Sequence, residues 1–306
     1  MARRARGAQG ELKTPLSVFE VGRAGDVGAT AHYEDAAYYD VAYAKRRDDV
    51  AHYLRLGRLS GGPVLEYGVG TGRIAMALAR AGIAVTGVDA SEPMLSRCRA
   101  HLSLEPSEVE KRVRLVQGDM RTARVKGRFP LIIAPFNTLQ HLYVRQDFER
   151  FFQRVKAHLT KGGRFVFDVL VPHADYLGAD PERRHGQPRF RHPAHGLVRY
   201  GERFDYDSFR QVLLMTFEFE PVDGSPASRV PLTHRQLFPQ ELEALLHYNG
   251  FTDIVMTADF TETPAEGGAD SLVVSCRAGS PPRRASTAKK ASRRGALGGR
   301  RQNAHR

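Results

Sequence analysis

Between residues 64 and 170 the apolar positions follow two alternating rhythms. Short apolar runs at 64–67, 84–88, 113–117, 131–134 and 164–170 read as five strands. Residues 74–81 and 93–102 carry apolar side chains at helical spacing. A third helix is predicted over 147–159, where Phe148, Phe151, Phe152, Val155 and Leu159 fall at offsets of three and four. Lys161-Gly162-Gly163 is expected to close it, with glycine just after the last turn. Strands alternating with helices of about ten residues predict an α/β fold, a Rossmann-like doubly wound parallel sheet.

The rhythm changes after Val171. Residues 172–196 are rich in proline, histidine and charge and read as a long loop. Three stretches, 197–204, 211–219 and 230–238, then look like antiparallel strands, the second alternating through Val212, Leu214, Thr216 and Glu218. A helix over 239–249, ended by Asn249-Gly250, and strands at 254–257 and 272–275 complete the pattern. The expected organisation is a loosely ordered segment 1–29, a cofactor-binding core 30–171, and a loop and antiparallel β insertion 172–238 acting as a substrate lid or dimer surface. A return to the core sheet over 239–278 and a disordered tail 279–306 follow.

Charge alters this picture at the two ends only. Lys and Arg number 46 against 34 acids in 306 residues, a formal charge of +12. The stretches 1–7 and 279–306 contain twelve of the basic residues and no acid, so the remainder is formally neutral. A basic binding face on the folded body does not follow from the composition. The tails are expected to be solvated, with weak non-specific nucleic-acid contact as the alternative role. No apolar run is long enough to span a membrane. Cys98 and Cys276 match no metal-binding spacing, so a cytoplasmic protein with no metal site is expected, as monomer or homodimer. His173, His185, His192 and His195 cluster in sequence but lie in the expected loop, with nothing to fix a ligand geometry.

The candidate chemistry centres on Glu66-Tyr67-Gly68-Val69-Gly70-Thr71-Gly72-Arg73, directly after the first strand. Glycines there permit a tight turn and a close backbone approach by a ligand. A dinucleotide fingerprint needs a further glycine where Arg73 stands. Asp89 ends the second strand, 21 residues after Gly68, and Gly118-Asp119-Met120 follows the third.

These motifs, with Lys161-Gly162-Gly163 before the fifth strand, resemble the class I S-adenosylmethionine-dependent methyltransferases over roughly residues 30–277. The nearer resemblance is to small-molecule members, the sugar N,N-dimethyltransferases and glycine-type N-methyltransferases. It implies S-adenosylmethionine as cofactor, with Gly68, Gly70 and Gly72 along its amino-acid and ribose part and Glu66 beneath the turn. Asp89 would accept the ribose hydroxyls and Asp119 the adenine amine, while Met120, Ala90 and Met94 pack on the ring. Tyr39, with Tyr38 and Tyr43, would close over the methionine end. Pro135 and Phe136, after the fourth strand, would floor the methyl pocket. In SN2 transfer the sulfonium methyl is already electrophilic, so catalysis needs placement and, for a protonated acceptor, a base. Asn137 is the candidate to orient the acceptor's lone pair and His141 the candidate base, because its ordinary pKa is about 6.5. A small-molecule N or O acceptor is expected. The alternatives are an RNA or protein substrate recruited through the tails, and a cofactor-binding module without catalysis.

Overall fold

A computed structural model describes residues 30–279; the expected N-terminal segment 1–29 and the basic stretch beyond 279 lie outside the described residues. The chain opens with a 3-10 turn, Ala31–Tyr33, then α1 (Ala36–Ala42) and α2 (Asp48–Ser60). The first half of the sheet follows as β1 (Val64–Tyr67), α3 (Arg73–Arg80), β2 (Val85–Asp89), α4 (Glu92–Leu102), α5 (Ser107–Glu110) and β3 (Val113–Gln117). Next come β4 (Phe129–Ala134), a 3-10 turn at Thr138–His141, α6 (Arg145–His158) and β5 (Leu159–Leu170). After α7 (Ala174–Leu177) the chain builds β6 (His185–His192), β7 (Gly196–Asp207), β8 (Val212–Pro221) and β9 (Ser228–Arg235). It closes with α8 (Pro239–Tyr248), β10 (Phe251–Ala258) and β11 (Ser271–Ala278).

Seven strands form one sheet in the order β10-β11-β5-β4-β1-β2-β3, parallel except that β11 runs antiparallel to both β5 and β10. Strands buried on both faces alternate their side chains between two cores. Ile132 faces α6, whose Phe148, Phe151 and Phe152 meet Phe165 and Phe251; Ile133 faces α2 and α3 through Tyr53, Ile74 and Leu78. Each fully buried phenylalanine contributes about 2 kcal/mol by removal from water. A separate antiparallel sheet, β6-β7-β8-β9, packs Phe217, Phe219 and Leu232 against Tyr38 of α1.

Two expectations are corrected. The stretch 172–196 is not all loop: it holds α7 and edge strand β6, in which Pro188 falls between the paired residues Gln187 and Phe190 at a register shift. An edge strand tolerates proline at such an irregularity because a ladder bond is already missing there. Nor does Lys161-Gly162-Gly163 cap a helix. α6 ends at His158, Leu159 is already extended, and Gly162, at φ +75°, lies inside β5 where its register against β4 shifts.

Helices α1 and α2 are missing from the sequence reading for a physical reason. The fully buried face of α2 is Asp49, His52, Tyr53 and Gly57, polar, aromatic or small, while its aliphatic Val50, Leu54 and Leu56 are only partly buried beside it.

Candidate active site

The C-terminal ends of β1, β2 and β4 converge on a cavity of about 420 Å³. The turn after β1 forms one wall. Gly68, Gly70 and Gly72 all have positive φ, at +70°, +55° and +86°. A side chain on Gly68 would put its Cβ 2.4 Å from Thr138 Oγ1, so the turn and the loop after β4 interlock only without one. Gly68 and Gly70 line the cavity; Gly72 does not, and instead packs against Cys98, whose Sγ would lie 2.5 Å from an added Cβ.

Asp89 is set by its backbone neighbours. Its Oδ2 accepts from Gly70 N at 2.7 Å and its Oδ1 from Ser91 N at 2.9 Å. Burial pushes its pKa up, against these stabilising N–H groups. A carboxylate offers about four lone-pair sites, so about two stay open to the cavity. Asp119 is held differently. Burial raises its pKa, but the Arg121 guanidinium, with Nη2 2.6 Å from Oδ2, outweighs that and holds it below the usual range. Arg121 also reaches Asp147 at 3.0 Å. Ala90, Met94, Met120, Pro135 and Tyr39 complete the apolar lining.

Glu66 is 2% exposed, lies behind the cavity rather than in it, and its Oε2 has no hydrogen-bond partner. Burial holds its carboxyl well above the usual range. Asn137 likewise faces away: its Oδ1 accepts from Leu170 N at 2.9 Å, fixing the loop after β4 to the end of β5. With that oxygen engaged and the side chain outside the cavity, it orients the loop rather than an acceptor.

His141 does line the cavity. Its Nε2 lies 2.6 Å from the Tyr33 hydroxyl, which donates to it when the ring proton is on Nδ1; Nδ1 is buried without a partner. Burial lowers its pKa to about 4, far from the near-neutral value expected of a titrating base. Beside it stand His234, at 5.2 Å between ring centres, and His32, whose Nε2 is 3.1 Å from the Tyr43 hydroxyl. Of the three expected tyrosines, Tyr38 instead stacks on His192 at 5.1 Å, and Tyr43 packs on Phe136 at 4.7 Å. Of the other loop histidines, His195 lies 4.5 Å from His192 between ring centres, while His173 accepts from Asp175 N and His185 rests on Phe204.

Phe136 carries a positive φ of +53°, an uncommon conformation for a bulky residue, and a buried network holds it there. Its N–H donates to Asp168 Oδ1 at 2.9 Å, and the same oxygen accepts the Tyr53 hydroxyl at 2.6 Å. Arg46 lies 4.6 Å over its ring. Asp49, fully buried, accepts from Arg46 Nε at 2.9 Å and from both Arg73 terminal nitrogens at 2.7 and 2.6 Å. Arg73 is the residue that follows the glycine turn, so this network ties the turn to α2 and β5. None of it was legible in the sequence, where these charges sit far apart; nor were Thr30, Tyr33 and Glu34 on the cavity's outer wall.

A glycine turn that admits a backbone-close ligand, a buried strand-end carboxylate with open lone pairs, and apolar faces for a ring fit an adenosyl group joined to an amino acid. Residues 64–163 match the family model described as a methyltransferase domain. That match makes residues 64–163, a third of the chain, a methyltransferase domain. The putative methyltransferase YqeM of Bacillus subtilis is 28% identical over 222 residues, 69% of this methyltransferase and 82% of that protein. The structure of the CcbJ methyltransferase from Streptomyces caelestis superposes with a TM-score of 0.67 at 24% identity, over 81% of this chain and 98% of that one. Cofactor-bound CalS10, an amino pentose methyltransferase from Micromonospora echinaspora, superposes at 0.56 with 20% identity, over 86% and 98%. Among the described residues of this methyltransferase no helix is long and apolar enough to cross a membrane.

Proposed function

We propose that this methyltransferase acts on a nitrogen or oxygen of a small molecule held between the core and the four-stranded sheet. The observation that carries the reading is a second cavity, of about 660 Å³, backing onto the first. The partition between them is two side-chain pairs, Phe136 with Arg46 at 4.6 Å and His141 with His234 at 5.2 Å. With the cofactor in the first cavity, the acceptor takes the second in this reading, and its volume is of small-ligand size. Its apolar wall is Leu213, Met215 and Phe217 of β8. Its charged wall has more acids than bases, Asp48, Asp49, Glu202, Asp259 and Asp270 against Lys45, Arg46 and Arg47, which favours an amine-bearing acceptor. CalS10, by its name, acts on such a molecule.

Asp89, Gly68 and Gly70 would hold the ribose and backbone of the cofactor, with Met94 and Met120 on its base. Bound there, it supplies a methyl group on a positive sulfur. The chain's part is placement and exclusion of water: Phe136 and Tyr39 wall the transfer point, and the acceptor's proton leaves to the His141 ring in the partition, which the Tyr33 hydroxyl holds in place through Nε2. A ring with pKa about 4 is uncharged at neutral pH and free to accept, and it is so weakly basic that it gives the proton up to water when the products leave.

A labelled-methyl transfer screen of amino sugars, their hydroxyl counterparts and RNA tests the acceptor class, and label confined to RNA would overturn the reading. For the residues, His141→Ala should lower kcat by about 10²-fold with little change in cofactor affinity, and Tyr33→Phe should fall between. The low-pH limb of kcat/KM assigned to His141 should lie near pH 4 rather than 6.5. An identical limb in wild type and His141→Ala removes the histidine from the proton path.

A further inference from the structure

The opposite end of the sheet carries a groove that the transfer chemistry does not use. It is about 690 Å³ and runs between α2 and strands β10 and β11, over the starts of β4 and β5. The cofactor cavity opens at the other ends of β1, β2 and β4, and the two share no lining residue among those described. The floor is apolar, from Leu56, Val166 and Val273, and Leu59 and Val255 stand exposed at its sides. The rim holds four cations, Arg55, Lys161, Arg164 and Arg277. Two of them meet acids, Arg55 with Glu262 at 3.2 Å and Arg277 with Asp253 at 3.6 Å, so a positive surplus remains.

His52 closes the α2 side of the groove. It lines this groove, is 8% exposed, and neither ring nitrogen makes a hydrogen bond of normal geometry, the backbone at Phe260 being the polar group nearest to serving it. Burial keeps the ring below its ordinary pKa and so uncharged near neutrality. A neutral imidazole offers one donor and one acceptor. Both ring nitrogens are shielded from solvent, so the ring adds wall to the groove rather than a polar contact for its occupant.

We propose that this groove is a second binding site for an amphipathic anion, an apolar body bearing a carboxylate or sulfonate, with the body on the Leu56–Val273 floor and the anion on the basic rim. The chain's own terminal stretch is a poor occupant, because residues 280–306 carry nine Lys and Arg and no acid and meet a rim of like charge.

Titration of the full chain with 8-anilinonaphthalene-1-sulfonate tests this, since the probe is an aromatic body with one sulfonate. The expected result is one saturable site that saturating S-adenosylhomocysteine does not displace. Affinity should fall about fivefold or more in Lys161→Glu and in Val255→Asp, both at exposed positions where folding is not at risk. Displacement by S-adenosylhomocysteine, equal affinity in wild type and both variants, or no saturable binding overturns the proposal. So does emission that falls as chain concentration rises while both variants stay monomeric by sedimentation, which would give the groove to a second copy of the chain.

Discussion

Asp89 serves the turn and the cavity with one carboxylate. Two of its lone pairs take the N–H groups of Gly70 and Ser91, and the others face the space where a vicinal diol would lie. Hydrogen bonds to a charged group contribute about 1.5–3 kcal/mol each, so Asp89→Ala should weaken S-adenosylmethionine and S-adenosylhomocysteine alike, by about tenfold to a hundredfold. Isothermal calorimetry showing unchanged affinity would contradict that assignment. Residues such as Asp89, Met94, Met120 and Phe136 were legible because a strand end fixes where a side chain points, and the apolar pattern fixes the strand ends. Glu66, Gly72 and Asn137 belong to the same motifs yet lie behind the cavity. A motif records that a residue type is needed near the turn; it does not separate facing the ligand from holding the turn that does.

At the scale of elements, the glycine turn is held from behind by α2. Asp49 sits at its first turn, fully buried between Arg46 and Arg73. Burial raises its pKa, but its bonds to Arg73 outweigh this and keep it ionised. Breaking one side of such a buried pair leaves a guanidinium without its partner, so Asp49→Ala should cost about 3–5 kcal/mol in urea unfolding. A change under 1 kcal/mol would mean the network is ornamental. Gly72→Ala tests the turn from the other side, since it brings both a strained φ and a clash with Cys98. Its melting temperature should drop clearly while Gly82→Ala, which has the same φ but open space around it, drops less. The polar inner face that makes this network work is also what hid α2 from a reading based on aliphatic spacing.

For the whole molecule, the junction between the core and the four-stranded sheet is built around uncharged histidines, and that ties stability to pH. His32 is 2% exposed and its pKa is lowered to about 4, first by burial and then by the nearby His141. An unfolded histidine takes up a proton below about 6.5, while the folded one resists until about 4. The unfolded state therefore binds more protons in that window, so stability is fully present at neutral pH and is lost as the pH falls from 6.5 towards 4. His32 alone should remove about 2 kcal/mol between pH 7 and pH 5. His141 and His234, lowered in the same direction, steepen the loss. Urea midpoints for wild type and His32→Gln across this range should diverge, the variant giving the flatter curve; equal slopes would show that His32 titrates normally.

With the acceptor in the second cavity, as proposed, the partition of Phe136, Arg46, His141 and His234 also governs the order of events in turnover. Among the described residues none lines both of the cavities it separates, so neither ligand has to leave before the other enters. Both must be present together for the methyl to cross, and either can arrive first. Initial-rate lines at varied cofactor and acceptor should therefore intersect. The demethylated cofactor should inhibit competitively against the methyl donor and non-competitively against the acceptor. Parallel double-reciprocal lines would instead mean that one space is used twice, with the methyl parked on the protein between the two visits.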